Sequence, residues 1–346
     1  MKPVSVNNGS RGFTLVEMLV VMAIIALLLA ALLPAFSSVK KSAKVAQTKS
    51  FLTALDTGIS SYRAEQSLGG SLPPSSSDNQ VKPQEIAIPG GTSDSSTVRV
   101  AGAHLLVMAM IGGDGLGTPG FKDVNNNGTW WDNTHKGQDG GLYYLDPATG
   151  KEKYPRYGGG GYVDEKMRDR AKSLKDLAEK GGLLNPDSSA LFRGESSPLL
   201  FTDGWDHPIL YYRASPASNR MIAKPGDKKA GIYRQEDNGV ITGTVNGETE
   251  AGGYDFGAGK DKDKAGTGTA VYHFLADATG PEPADPVTDL LENPDWQDTF
   301  ARFILDTKSR TRPTPVLKDA YLLISAGPDG RYGTEDDVAN WTKETN

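Results

Sequence analysis

Nineteen consecutive positions, Met18 to Phe36, carry no ionisable side chain, and only Pro34 among them breaks the apolar pattern. As a helix rising 1.5 Å per residue, that run spans roughly 28 Å, about one bilayer hydrocarbon core. The twelve residues before it, MKPVSVNNGSRG, are polar and basic, with no acidic group. A secretory signal would have a shorter apolar region followed by an A-x-A-type cleavage site. Here the run is longer and the small residue, Gly12, precedes it. The positive leader predicts a cytoplasmic N-terminus.

Glu17 stands just inside this run. A carboxylate in an apolar membrane helix is costly and marks a functional partner. Cleavage between Gly12 and Phe13 would create an α-amino group four residues before Glu17. On a neighbouring subunit, that ammonium could neutralise the carboxylate and fix the axial register of assembly. The stretch Gly12-Phe13-Thr14-Leu15-Val16-Glu17 resembles the processing motif of the type IV pilin and type II secretion pseudopilin family. The resemblance implies that a prepilin peptidase cuts after Gly12, that the new Phe13 amine is N-methylated, and that Pro34 marks a kinked or melted stretch. It implies a single-pass inner-membrane protein with a periplasmic or extracellular head. Its partners would be copies of itself, other pseudopilins and an inner-membrane assembly platform.

Beyond the run, Lys40, Lys41 and Lys44 fall at the expected interface, and Val45, Leu52, Leu55, Ile59 and Tyr62 recur at helical spacing. The expected organisation is a leader over 1–12, a helix over 13–66 (13–36 in the membrane, 37–66 amphipathic) and a head over 67–346. Glycine (41) and proline (21) are frequent, which predicts turns and long loops. Residues 67–100 read as an extended loop, 101–112 as a short apolar helix and 165–182 as a charged helix capped by Gly181. PLLFTD (198–203) and HPILYYRA (207–214) read as a hairpin around Gly204-Trp205. Residues 270–276 suit strand or helix, 294–306 an amphipathic helix and 320–327 a strand. The fold class is α+β: a pilin-like long N-terminal helix packed on a small antiparallel sheet with large loop insertions.

The chain has no cysteine, so neither disulfides nor thiolate sites can order its loops. Two stretches have calcium-loop chemistry, since calcium takes six to eight hard oxygen ligands from a flexible loop. In GPDGRYGTEDDV, directly after a strand, Asp329, Asp336 and Asp337 converge across a Gly-rich turn; the segment is similar to the calcium-binding C-terminal loop of the major pseudopilin. A solvated turn in which Asp and Gly satisfy backbone donors is the other reading. In DVNNNGTWWDN, Asp123, Asn125, Asn127 and Gly128 match the opening of an EF-hand-type loop. Thr134 occupies the position of its closing glutamate, and Asp132 could substitute only with a different closure. That stretch is a metal loop or an Asx-turn-rich loop.

No P-loop, Rossmann fingerprint, nucleophile elbow or H-E-x-x-H motif is present. The four histidines are scattered, and Trp130 and Trp131 read as core anchors or as an exposed contact. A net charge of −6 argues against a nucleic-acid footprint. The sequence therefore predicts a structural protein, not an enzyme: a type II secretion pseudopilin or a type IV pilin, with calcium as a structural cofactor.

Overall fold

The computed structural model describes residues 14–64, 97–111, 199–215, 231–242, 299–309 and 312–342, with shorter stretches between them. The chain divides into two compact units, residues 1–44 and 45–346. Helix α1 (Leu15–Ala64) begins in the first unit, and its backbone stays helical through Pro34. The described side chains of its first two turns and beyond, Leu15 to Ala30, are exposed, with Leu15 and Leu27 at 80% and 71%. A helix apolar all round buries itself in lipid or among other helices, and one chain supplies no such cover. Among the described residues no helix is long and apolar enough to cross a membrane. The described apolar side chains of this stretch, 15–30, give roughly 24 Å of helix, short of a hydrocarbon core.

In the second unit, α1 buries Thr48, Phe51, Leu52, Leu55, Ile59 and Tyr62. Their spacing by threes and fours puts them on one face, the stripe expected of this segment. The opposite face is polar: Thr53, Thr57 and Ser61 each donate a hydroxyl to the carbonyl four residues back. Helix α2 (Gly102–Ile111) is buried at every position, as its unbroken apolar sequence demands. Its start approaches a strand so closely that a Cβ on Gly102 would lie 2.3 Å from the Tyr211 carbonyl oxygen. Asn238 fixes that junction, accepting from the Ala103 amide at 3.0 Å and donating to the Tyr211 carbonyl at 2.8 Å. His104 accepts from the Ala101 amide at 2.9 Å. Burial holds its pKa down to about 3, so it is a neutral core histidine.

The central sheet has three antiparallel strands, Ile209–Arg213, Tyr321–Ser325 and Val338–Ala339, with Tyr321–Ser325 in the middle. Both its faces are covered. Ile209, Tyr211, Leu323 and Val338 pack with the α1 stripe and α2. Leu210, Tyr212, Leu322 and Ile324 face a second core around Tyr233, Ile241, Phe300, Ile304 and Tyr332. Double-sided burial explains why these strands are apolar throughout instead of alternating. The other ladders among the described residues are two-stranded. The fold class is α+β, as the sequence predicts.

Several elements differ from their sequence-based expectations. Residues 84–87 and 97–100, expected within a loop, form a two-stranded antiparallel ladder. The 165–182 helix stops at Arg168, and Ala171–Ser173 pairs with Leu199–Phe201. The Arg170 carbonyl accepts from both the amide and the hydroxyl of Thr202, so strand pairing overrides helix propensity there. That same pairing dismantles the expected hairpin. Leu199–Phe201 and Ile209–Arg213 meet only at the Thr202–Pro208 bridge and then enter different sheets. Residues 270–276 split into a short strand (Ala270–Val271) and a 3-10 turn (Phe274–Ala276). The 294–306 helix shrinks to Phe300–Phe303, because the extended Thr299 caps it and accepts from the Arg302 amide.

Leu55 is fully buried between α1 and its neighbours. Leu55→Ala should cost about 2–5 kcal/mol, read as a lower denaturation midpoint at unchanged denaturant slope.

Candidate functional site

Gly12 and Phe13 lie outside the described residues, as do Asp123, Asn125, Asn127 and Asp132 of the second acidic loop. Glu17 is described, and it closes the start of α1. The Thr14 amide and hydroxyl both donate to Glu17 Oε2 at 2.8 Å, and the Glu17 amide donates to Thr14 Oγ1 at 3.2 Å. This is a reciprocal capping box. The Thr-x-x-Glu spacing was visible in the sequence, but the assembly argument for Glu17 left Thr14 without a role. Within a single chain, Thr14 satisfies the carboxylate that an intersubunit ammonium would otherwise have to meet.

The C-terminal loop brings its three predicted acids together. One carboxylate oxygen each from Asp329, Asp336 and Asp337 lies within 4.8 Å of the others. Calcium binds oxygens at 2.3–2.6 Å, so ligands on opposite sides of one ion sit about 5 Å apart. The spacing therefore suits such an ion. The backbone that allows this folds through a 3-10 turn, Gly327–Asp329, entered from the central strand. Gly327 has φ +63°, and a Cβ there would lie 2.3 Å from the Asp336 carbonyl oxygen, so only glycine fits. Asp329 Oδ1 accepts from the Arg331 amide at 2.8 Å, and Asp337 Oδ2 accepts from the Gly333 amide at 2.8 Å. The Thr334 hydroxyl reaches Asp336 Oδ1 and Asp337 Oδ1, at 2.8 and 3.1 Å. Burial pushes the Asp329 carboxyl up, with the Asp336 charge adding to it against the Arg331 amide.

Beneath the loop lies a buried polar clasp that sequence reading missed. Ser325 donates to Asp203 Oδ2 at 2.6 Å, and the Trp205 and His207 amides donate to Asp203 Oδ1 at 2.7 and 2.9 Å. His207 Nδ1 lies 2.8 Å from the Gly327 carbonyl oxygen and so carries the proton of that bond. The Tyr332 hydroxyl donates to the Pro208 carbonyl at 2.6 Å. Burial raises the Asp203 carboxyl, outweighing the His207 ring and these donors. Serine, histidine and aspartate are adjacent here, yet Ser325 and His207 both converge on Asp203 and the serine does not reach the imidazole. A hydrolytic triad needs the serine on the imidazole. This cluster joins the 203–208 turn to the C-terminal loop and holds the loop's base. Its signal in the sequence was the DGWDHP turn, whose partner 120 residues later only the fold reveals.

Residues 7–33 match the prokaryotic N-terminal methylation motif. That match covers the leader and the start of α1, and it supports a type IV pilin-like protein. No curated protein and no solved structure matches the chain.

The raised Asp329 carboxyl gives a signed pH dependence. Its folded form holds a proton more tightly than the unfolded form, so its contribution to stability is lost as pH rises above the ordinary aspartate value of about 3.9. With chelator present, Asp329→Asn should gain melting temperature on the wild type as pH rises. The gain should be no more than a few degrees, because the carboxyl is partly solvated.

Proposed function

We propose that the mature chain, cut after Gly12 and beginning at Phe13, is a structural subunit of a type II secretion pseudopilus. It would be anchored in the inner membrane by residues 13–36 and assemble through α1 to drive protein export. The observation that carries this reading is the run Gly12-Phe13-Thr14-Leu15-Val16-Glu17 at the mouth of an apolar helix, inside the matched 7–33 segment. The bare apolar flank of α1 supports it, since neighbouring helices and lipid together would cover what one chain leaves exposed. Work for export would come from a separate ATPase, so the subunit itself needs no catalytic group. A type IV pilus subunit for adhesion, motility or DNA uptake shares the same motif. The absence of cysteine favours secretion, because many such pilins close their C-terminal loop with a disulfide.

Calcium is the structural cofactor of this proposal. Asp329, Asp336 and Asp337 would hold it, with backbone carbonyls of the Gly-rich turn completing the oxygen shell. The ion would neutralise carboxylates that now face one another, and so hold the loop where a disulfide would serve in other secreted proteins. Two findings support the fit: the spacing of the carboxylate oxygens and the raised Asp329 carboxyl.

Glu17→Ala should leave leader removal intact and reduce cross-linked filament in membranes at least tenfold; filaments at wild-type level would contradict the charge pairing. For the detergent-solubilised mature chain, chelator should lower the melting temperature by on the order of 5 °C, from the linkage of a well-saturated site. Asp329→Ala combined with Asp337→Ala should erase that response. A melt unchanged by chelator in the wild type would remove calcium from the account.

A further inference from the structure

The second unit holds a half-open cleft of about 750 Å3 on the far side of the C-terminal loop from the clasp residues. Its apolar wall is made by Phe303, Leu305, Val316, Leu317 and Trp341, with Phe303 and Trp341 meeting edge to face at 5.8 Å. Arg302 also lines it, and its Nε is buried and, among the described residues, has no hydrogen-bond partner. A buried guanidinium nitrogen left unpaired is costly, and a planar carboxylate is the group that satisfies its fork.

Two further observations converge on the same cleft. Leu317 is the one exposed large apolar residue among the described residues of the second unit, at 39%. Its backbone is left-handed, with φ 51°, a conformation strained for a residue of this type. The Tyr233 hydroxyl, at 2.6 Å, and the Ala320 amide, at 2.9 Å, both donate to the Leu317 carbonyl and hold it there. The fold thus maintains strain to keep an apolar side chain at the rim. Lys308 faces Asp306 and Glu335 around the opening, beside the hydroxyls of Thr307 and Thr342. A mixed rim of this kind offers donors and acceptors to a peptide backbone.

We infer that this cleft is a binding site for an extended acidic peptide, which places a Glu or Asp carboxylate on Arg302 and a neighbouring apolar side chain against Leu317 and Val316. The inference stands independently of the filament reading. The volume exceeds what one carboxylate needs, and a small free acid would leave the apolar wall wet. Anchoring by one aromatic or aliphatic side chain beside one charge-assisted pair follows the usual economy of peptide recognition.

The test uses the detergent-solubilised full chain and fluorescently labelled decapeptides with a central Phe-Glu, Phe-Gln or Ala-Glu pair, read by anisotropy. The Phe-Glu peptide should bind at least tenfold more tightly than either other peptide, the loss expected for one charged hydrogen bond or one apolar anchor. Arg302→Leu should abolish that preference for Glu. Arg302→Lys, which keeps the charge without the fork, should weaken it while leaving the melting temperature native. The peptide comparison on the wild-type chain needs no variant to fold. Equal binding of the Glu and Gln peptides, or no binding of any of them, would overturn the proposal. So would phenylacetate binding as tightly as the Phe-Glu peptide, which would make the cleft a small-molecule site.

Discussion

The structure of the second unit depends on a three-stranded sheet that must be covered on both faces. Tyr211 and Leu323 look one way and Tyr212 and Leu322 the other, and all four are fully buried. A sheet with no solvent face cannot be closed by one helix. The α1 stripe and α2 supply one cover, and the segments 221–242, 273–276 and 299–305 supply the other. Because the middle strand, Tyr321–Ser325, runs directly into the Asp-rich loop, the two-sided core also sets where that loop begins.

The loop is fixed from below as well as by its own glycines. Asp203 gathers three donors, Ser325 among them, and His207 reaches the Gly327 carbonyl. Tyr332 extends from the loop to the Pro208 carbonyl, and its amide donates to His273 Nδ1. The carboxylates above are therefore displayed on a rigid base, which lowers the ordering cost of gathering ligands around a cation. Across the molecule, polar groups are buried where they join segments distant in sequence. Ser75 to Asp237, Asn238 to Tyr211 and Tyr321 to Asp56 follow the same rule.

Much of this was legible in the sequence where periodicity or composition left one option. The α1 stripe, the all-apolar α2 and the strand 321–325 follow from spacing and apolar content alone. Misreadings arose where a partner distant in sequence decided. Residues 171–173 have good helical composition but pair with 199–201, and 209–213 leaves its sequence neighbour for 321–325. No local signal carries that choice. At the site, Asp329, Asp336 and Asp337 stood out because aspartates and glycines cluster there, whereas Asp203 and Ser325 look unremarkable until the fold joins them. Arg302 was hidden in the same way: its unpaired Nε exists only because Thr299 cuts the expected helix short and Trp341 comes in from the C-terminus.

Glu17 connects the two scales of the account. Thr14 caps it within one chain, and a free amine at Phe13 would give it a stronger, charged partner on a neighbour. Everything proposed about assembly requires that amine to exist. Mass spectrometry of the N-terminal peptide from membrane-extracted native protein measures it directly. The account predicts a chain that starts at Phe13 and carries one methyl group on its amine. A chain that begins at Met1, or one recovered whole from the soluble fraction, would contradict it.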